Sequence, residues 1–414
     1  MWISGDVDEI ERAVARGDLE ETASFDGKRE LPPSTTKGNA SVAIDVAAMS
    51  TDGGTILYGV GEDADKRLTE RRPIELAGAA DRIAQIVQTS IAEIPYIEFR
   101  PYPLADEPSK GFLLVIVPPS ARAPHQVSVG DDRRFYGRGA RGNRRLSEQE
   151  VALLYSRRQR GEVNLSARLE EVVQTTPYVP EGPDDGSVYA FAQPAQINEE
   201  MWDAAAVGAG GLAPLQQRLS SAAREVSTEP DFDPSFSRMA FWHRVGADAW
   251  RVSSQPEDPP RPDFIAFLSD ITFSMDGRAV LFASSAVRRV TDRTGQRDSD
   301  GAKYIFERNI AGNLAAFIGA TAVLFEQAGY FGAVDLGVAV TNLHGAMSVG
   351  RYEHVRSPMV IRSHEPAYNS STYTRTCRLS AARELAKPEN VALALLGRLF
   401  IATTGRDYDP FQRA

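Results

Sequence analysis

Residues 39–60 read NASVAIDVAAMSTDGGTILYGV, and the way this stretch divides decides the fold. Val42, Val46 and Met49 recur at helical spacing, and Asp52-Gly53-Gly54 is a stop signal, so residues 39–54 predict a helix. TILYGV (55–60) is short and rich in β-forming residues, and predicts a strand. Gly53 and Gly54 have two readings: a helix end leading into a buried strand, or backbone N–H groups offered to an anion. Gly59, inside the strand, marks a close approach of backbone to packing or to a ligand.

The flanking sequence extends this pattern. DVDEIERAVAR (6–16) carries Val7, Ile10 and Val14 at helical spacing and stops at Arg-Gly-Asp. Residues 22–31 predict a strand and LPPSTTKGN (31–39) a loop. Residues 74–92 have helical periodicity, and YIEFRPYP (96–103) and GFLLVIVP (111–118) predict paired strands. RRFYGRG (133–139) predicts another. Ser147 followed by Glu150 is a capping box, opening a helix with Val151, Leu154 and Tyr155 on its apolar side. These pieces make one α/β unit over residues 1–160, a normal domain size.

Residues 161–186 end in prolines, acids and glycines, and predict a linker. Residues 187–414 again alternate strand-like runs (SVYAFAQP, FSRMAFWHRV, RPDFIAFLSDITFS, RAVLFASSAVRRV) with helical ones. GAKYIFERNIAGNLAAFIGATAVLFEQAG (301–329) predicts a long helix broken near Gly312 or Gly319, and VDLGVAVTNLHGAMSV a strand pair. The last helices have Pro388 near the start of the second. The expected class is α+β, two mixed domains in series.

Composition bounds the rest. The chain has 414 residues, 42% hydrophobic and 25% charged, ordinary for a globular protein with a sizeable core. Its one cysteine, Cys377, allows no internal disulfide and suits a reducing cytoplasm. No apolar run approaches the roughly 20 residues of a membrane helix, and the acidic N-terminus is no signal peptide. A cytoplasmic protein without a membrane partner is therefore expected. The net charge of −10 argues against a wholly basic nucleic-acid binder. Residues 133–160, however, hold nine arginines against two glutamates. Arg133, Arg134, Arg138, Arg141, Arg144 and Arg145 open that run, which reads either as a phosphate-binding surface or as a solvated face.

The stretch ETASFDGKREL (21–31) brings chemistry to the predicted strand. Asp26 and Lys28 are two apart and share a face, with Glu21 just upstream. Glu62 and Asp63 follow in GVGED. Carboxylates that converge can bind Mg²⁺ or Mn²⁺, and a lysine beside them can neutralise charge on a phosphate oxygen. A surface ion pair is the plain alternative. The five histidines (His125, His243, His344, His354 and His364) form no zinc pattern, and neither a P-loop nor a G-x-S-x-G motif occurs. FWHRV and residues 354–375 mix aromatics with Arg and His, as a ligand pocket or as alternating strand faces.

Taken in order, these blocks resemble the Schlafen AlbA-type domain, also labelled divergent AAA. That family runs E-x-x-x-x-E-[FL]-K, then a helix with A-x-A-N-x-x-G-G, a strand ending G-V-x-[DE], and a closing strand with Tyr and Arg. Here the blocks are Glu21-x4-Asp26-Gly27-Lys28, VAAMSTDGGTILYGVGED and RRFYGRGARGNRRLSEQEV, over roughly residues 20–158. Asp26 stands where glutamate is usual, Gly27 replaces an apolar residue and Ser50 an asparagine. The resemblance implies a nucleic-acid-binding protein. In the Schlafen branch it implies a metal-dependent endoribonuclease cutting tRNA or rRNA, with Glu21, Asp26 and Glu62 (or Asp63) holding Mg or Mn and Lys28 stabilising charge. It also implies a paired lobe, hence a homo-oligomer. Bacterial relatives include ATP- or DNA-binding regulators and proteins of phage defence. The alternative is a non-catalytic DNA- or nucleotide-binding regulator.

Overall fold

The computed structural model describes residues 4–63, 67–120, 122–129, 132–139, 142–176, 178, 185–195, 199–225, 241–256, 268–290, 302–349, 368–405 and 408–411. The chain has both helices and strands in several sheets, an α+β protein. It divides into two compact units, Met1–Glu162 and Val163–Ala414.

In the first unit, α1 (Val7–Arg16) starts at Asp6, whose side chain accepts from the Glu9 N–H, and stops at Gly17 in the left-handed region, φ +68°. Ile10 and Val14 are its buried stripe. β1 (Phe25–Lys28) follows. α2 (Thr36–Met49) begins three residues earlier than expected and ends at Met49 rather than at residue 54; its start is set by Thr35, whose Oγ1 accepts from the Gly38 N–H at 3.1 Å. β2 (Gly54–Tyr58) is buried throughout. Gly53, at φ +84°, donates its N–H to the Met49 carbonyl, and a Cβ there would meet the Pro119 ring at 2.7 Å. The Gly-Gly pair is thus a helix stop packed into the fold. β3 (Val60–Glu62) and β4 (Leu68–Arg71) form a two-stranded sheet.

The rest of the unit comprises β5 (Ile74–Glu75), α3 (Ala79–Ser90), β6 (Ile91–Ala92), β7 (Glu98–Pro103) and β8 (Lys110–Val117). Then come β9 (Gln126–Val129), β10 (Asp132–Gly139) and β11 (Gly142–Arg145). β1 pairs parallel to β2 across the α2 crossover, and β8 runs antiparallel to β2, β5 and β7. β1 is therefore an edge strand. A four-stranded sheet runs β11-β10-β9-β6. One core lies where Val42, Val46 and Met49 of α2 meet Ile56, Tyr58 and Val115. The other lies where Ile10 and Val14 of α1 meet Phe25, Leu57 and Leu114. Register puts Asp26 beside Ile56 and Lys28 beside Tyr58, so both charged residues point to the α2 side. Gly27 points the other way, where a Cβ would collide with the Leu68 side chain. Leu68 thus supplies the apolar bulk that a side chain at Gly27 would have.

α4 (Glu148–Thr175) starts at the predicted capping box: the Glu150 N–H donates to Ser147 Oγ, and the Ser147 N–H donates to Glu150 Oε2. It runs on through Thr175, so the first half of the stretch expected as linker is helical.

The second unit contains β12 (Gly186–Pro194), α5 (Met201–Ala209), α6 (Leu212–Glu225), β13 (Phe241–Val245), β14 (Ala249–Ser253), β15 (Ser269–Ser274) and β16 (Ala279–Val290). β17 (Ala302–Ile305), α7 (Glu307–Gln327), β18 (Val334–Val340), β19 (Met347–Ser348), β20 (Tyr373–Leu379) and α8 (Pro388–Thr404) complete it. Its nine-stranded sheet runs β13-β14-β15-β16-β12-β18-β20, with β17 and β19 continuing from β16. α7 is continuous where a break near Gly312 or Gly319 was expected. Both glycines are buried within it, where the helix packs on other elements along most of its length. α7 is also long and apolar enough to cross a membrane, but it is the core helix, with Leu314, Phe317, Ile318 and Leu324 fully enclosed. β18 and β19 do not pair with each other; β18 lies between β12 and β20, while β19 pairs with β17. FWHRV is strand β13, and residues 354–367 of the aromatic-basic stretch lie outside the described residues.

Candidate functional site

The site is built on the edge strand. Asp26 is 2% exposed, because β1 turns it under α2. Lys28, two residues on, places its Nζ 2.9 Å from Asp26 Oδ2 and 3.6 Å from Asp45 Oδ2, while its own side chain stays about a third exposed. Asp45 projects from α2 and is itself 4% exposed. Its Oδ1 accepts from Asn143 Nδ2 of β11 at 2.5 Å. From β10, Arg138 reaches Asp26 Oδ2 at 3.5 Å and donates to the Asn143 side-chain oxygen and to the Thr22 and Phe25 carbonyls. Arg138 therefore fastens the turn before β1 to the β10–β11 hairpin. Two buried carboxylates and two cations make a charge-balanced quartet, with the lysine at its surface.

Glu21 stands beside this quartet. Burial, a hydrogen bond to Asp26 and the negative charges of Asp26 and Glu62 push its carboxyl up to about 7, against a smaller opposing pull from Lys28. Glu21 thus exchanges its proton near neutrality. Burial also raises Asp45, with Lys28 pulling it back only in part. Burial lowers Lys28, but Asp45 and Asp26 outweigh it and hold the ammonium above its ordinary pKa. Burial and the same two aspartates raise the Tyr58 phenol, with Arg82 opposing them.

The structure brings together Glu21, Asp26, Lys28 and, electrostatically, Glu62. Asp63 has another task. Its Oδ1 accepts from the Arg67 N–H at 3.0 Å and its Oδ2 from Thr69 Oγ1 at 2.7 Å, tying the ends of the β3–β4 connection. The arginines divide too. Arg138, with its side chain 6% exposed, is an internal brace rather than a surface phosphate contact. Arg144 is held by both carboxylate oxygens of Glu150, at 3.0 and 2.6 Å. Arg133, Arg134 and Arg145 are exposed, and Arg141 lies outside the described residues. His125 is buried between the Glu93 carbonyl and Ser120 Oγ, a packing histidine.

Sequence reading missed Asp45 and Asn143. Asp45 carried a signal: one carboxylate amid the apolar positions of SVAIDVAAM, which must find a partner when that face is buried. Asn143 carried none, since only the hairpin register brings it to α2.

In this arrangement cations and an amide, not a divalent ion, face the two aspartates. Asp26 Oδ2 already faces Lys28 and Arg138, and Asp45 faces Lys28 and Asn143. Among the described residues, no three His, Cys, Asp or Glu side chains group to hold a metal ion. No protein-family model matches the chain, and no curated protein matches it in sequence. The likeness to the Schlafen AlbA-type domain rests on the motif residues alone.

Proposed function

We propose that the first unit is a nucleic-acid-binding module that acts on the phosphodiester backbone of RNA, in the cytoplasm. The observation that carries this reading is Lys28: an ammonium held at the surface by two buried carboxylates, with a proton-exchanging carboxyl beside it. Such a lysine stabilises charge that builds on a phosphoryl oxygen. A carboxyl with a pKa of about 7 is matched to general acid–base work at neutral pH. In this reading Glu21 takes the proton of a ribose 2′-hydroxyl, whose oxygen attacks the adjacent phosphorus. The P–O5′ bond breaks, O5′ takes a proton from water, and a 2′,3′-cyclic phosphate remains. Arg133 and Arg145, exposed on the adjacent sheet, contact backbone phosphates. No metal step is part of it.

A second reading keeps the binding and drops the cleavage. It is favoured by the internal charge balance of Asp26, Asp45, Lys28 and Arg138, which a purely structural cluster would also show. Total tRNA incubated with the purified protein, with chelator or with added Mn²⁺ or Mg²⁺, separates the two. Cleavage that survives chelation and is lost in Glu21→Gln supports the acid–base reading. Cleavage only with Mn²⁺ or Mg²⁺ would mean that the cluster reopens around an ion. Salt-sensitive binding without cleavage leaves the non-catalytic regulator.

A further inference from the structure

A cleft of about 750 Å³ opens in the first unit, lined by Arg29, Arg71, Arg72 and Arg82 over an apolar wall of Leu31 and Ile74. Its volume lies within the range of small-molecule sites. The guanidiniums are not equally neutralised. Arg29 and Arg72 share a single carboxylate oxygen, Glu70 Oε2, at 2.9 and 3.3 Å. One carboxylate cannot balance two guanidiniums, so this trio keeps a surplus positive charge and a preset orientation. Arg82 donates to the Pro32 carbonyl, a neutral acceptor that fixes the side chain. Among the described residues, Arg71 alone of the four has a carboxylate of its own, Glu11 at 2.8 Å. Glu30 and Glu75 also line the cleft. Glu75 lies opposite Lys110 across the β5–β8 pairing.

We infer that this cleft binds a nucleoside phosphate, with its phosphate on Arg29, Arg72 and Arg82. Planar, forked guanidiniums match a phosphate oxygen pair better than any other side chain. Leu31 and Ile74 offer the apolar surface a base stacks on, and Glu30 or Glu75 supplies an acceptor for ribose hydroxyls. Free inorganic phosphate would use only the arginines, and a nucleoside only the wall and the acids. The mixed lining selects a ligand with all three parts.

Titration calorimetry of the full chain with 5′-AMP, adenosine, inorganic phosphate and a short 5′-hydroxyl oligoribonucleotide tests this. 5′-AMP is expected to bind with a Kd below about 1 mM. Adenosine and inorganic phosphate are each expected to bind at least roughly tenfold more weakly, and Arg72→Met to weaken 5′-AMP roughly tenfold. Arg72 is half exposed, so this variant should keep the parent circular dichroism; Arg82→Met serves as the second variant. Glu21→Gln should leave 5′-AMP binding unchanged, which separates this site from the cleavage reading. No heat with 5′-AMP up to about 5 mM would overturn the proposal. So would equal affinity for adenosine, or no effect of either arginine variant. An oligoribonucleotide that binds where 5′-AMP does not would overturn it too, since the cleft would then hold a strand of diesters.

Discussion

Two ion-pair arrangements, one in each unit, differ in a way that separates structure from chemistry. In the second unit Asp335 on β18 lies directly opposite Arg378 on β20, and both its oxygens accept from that guanidinium, with Gln193 Nε2 of β12 at 3.5 Å on the other side. Both oxygens there are engaged, and Asp335 is 3% exposed. In the first unit Asp26 and Asp45 share Lys28, Arg138 also faces Asp26, Asn143 donates to Asp45, and an additional acid, Glu21, stands against the group with its carboxyl pushed up to about 7. A closed bidentate pair holds strands together. A cluster with one acid too many holds a proton that it gives up readily, and it offers a partly exposed lysine to an incoming anion.

The sharpest way to break this contrast is at the closed pair. Asp335→Ala takes both carboxylate oxygens from the Arg378 guanidinium and should cost about 3–5 kcal/mol, read as a lowered midpoint in urea unfolding with the slope kept. A loss under about 1 kcal/mol would mean that water reaches Arg378 and the pair is not closed. Next comes the brace of the open cluster. Arg138→Ala removes the bonds to the Thr22 and Phe25 carbonyls and one partner of Asp26. The expected cost is about 2–4 kcal/mol, and less than for Asp335, because Lys28 still faces Asp26. If Arg138→Ala proves the milder change by far and instead weakens RNA binding, Arg138 meets the ligand and its bracing role is wrong.

Much of this was legible in the sequence, for identifiable reasons. α1, the β2 strand and the capping box of α4 follow from local signals: Asp6 and Gly17 bracket one amphipathic stripe, and Ser147 with Glu150 mark a helix start. The side of β1 that Asp26 and Lys28 share follows from period-two geometry. What failed was whatever depended on distant chain. The apolar wrap of α7 comes from its neighbours, so Gly312 and Gly319 read as breaks although packing holds the helix straight through. Arg138 reads as one more surface arginine until the β10–β11 hairpin turns it toward Asp26. Asp63 reads as a ligand beside Glu62 until Thr69, on the returning strand, claims it. The arginine cleft was invisible because Arg29, Arg71, Arg72 and Arg82 meet only through β1, the β4–β5 connection and α3.

The smallest effect is the most discriminating, and it concerns the extra acid. Glu21 has a folded pKa of about 7, raised by burial, then by Asp26 and Glu62, above the ordinary glutamate value near 4.5. Between those values the native protein binds more protons than the unfolded chain, so its stability falls as pH rises through the window. Asp45, raised chiefly by burial, acts with the same sign. Lys28 does not contribute there, because its raised pKa keeps it charged in both states. Glu21→Gln keeps an amide that can hydrogen-bond Asp26 and removes the titration. The variant should lose part of the decline between pH 5 and 7 and exceed the parent at pH 8 by on the order of 1 kcal/mol, solvent screening at this half-exposed side chain taking the rest. Urea midpoints measured across that range decide it. Parallel curves for parent and variant would place Glu21 as an ordinary ionised surface acid, and the cleavage reading would lose its proton carrier while the anion-binding role of Lys28 stood.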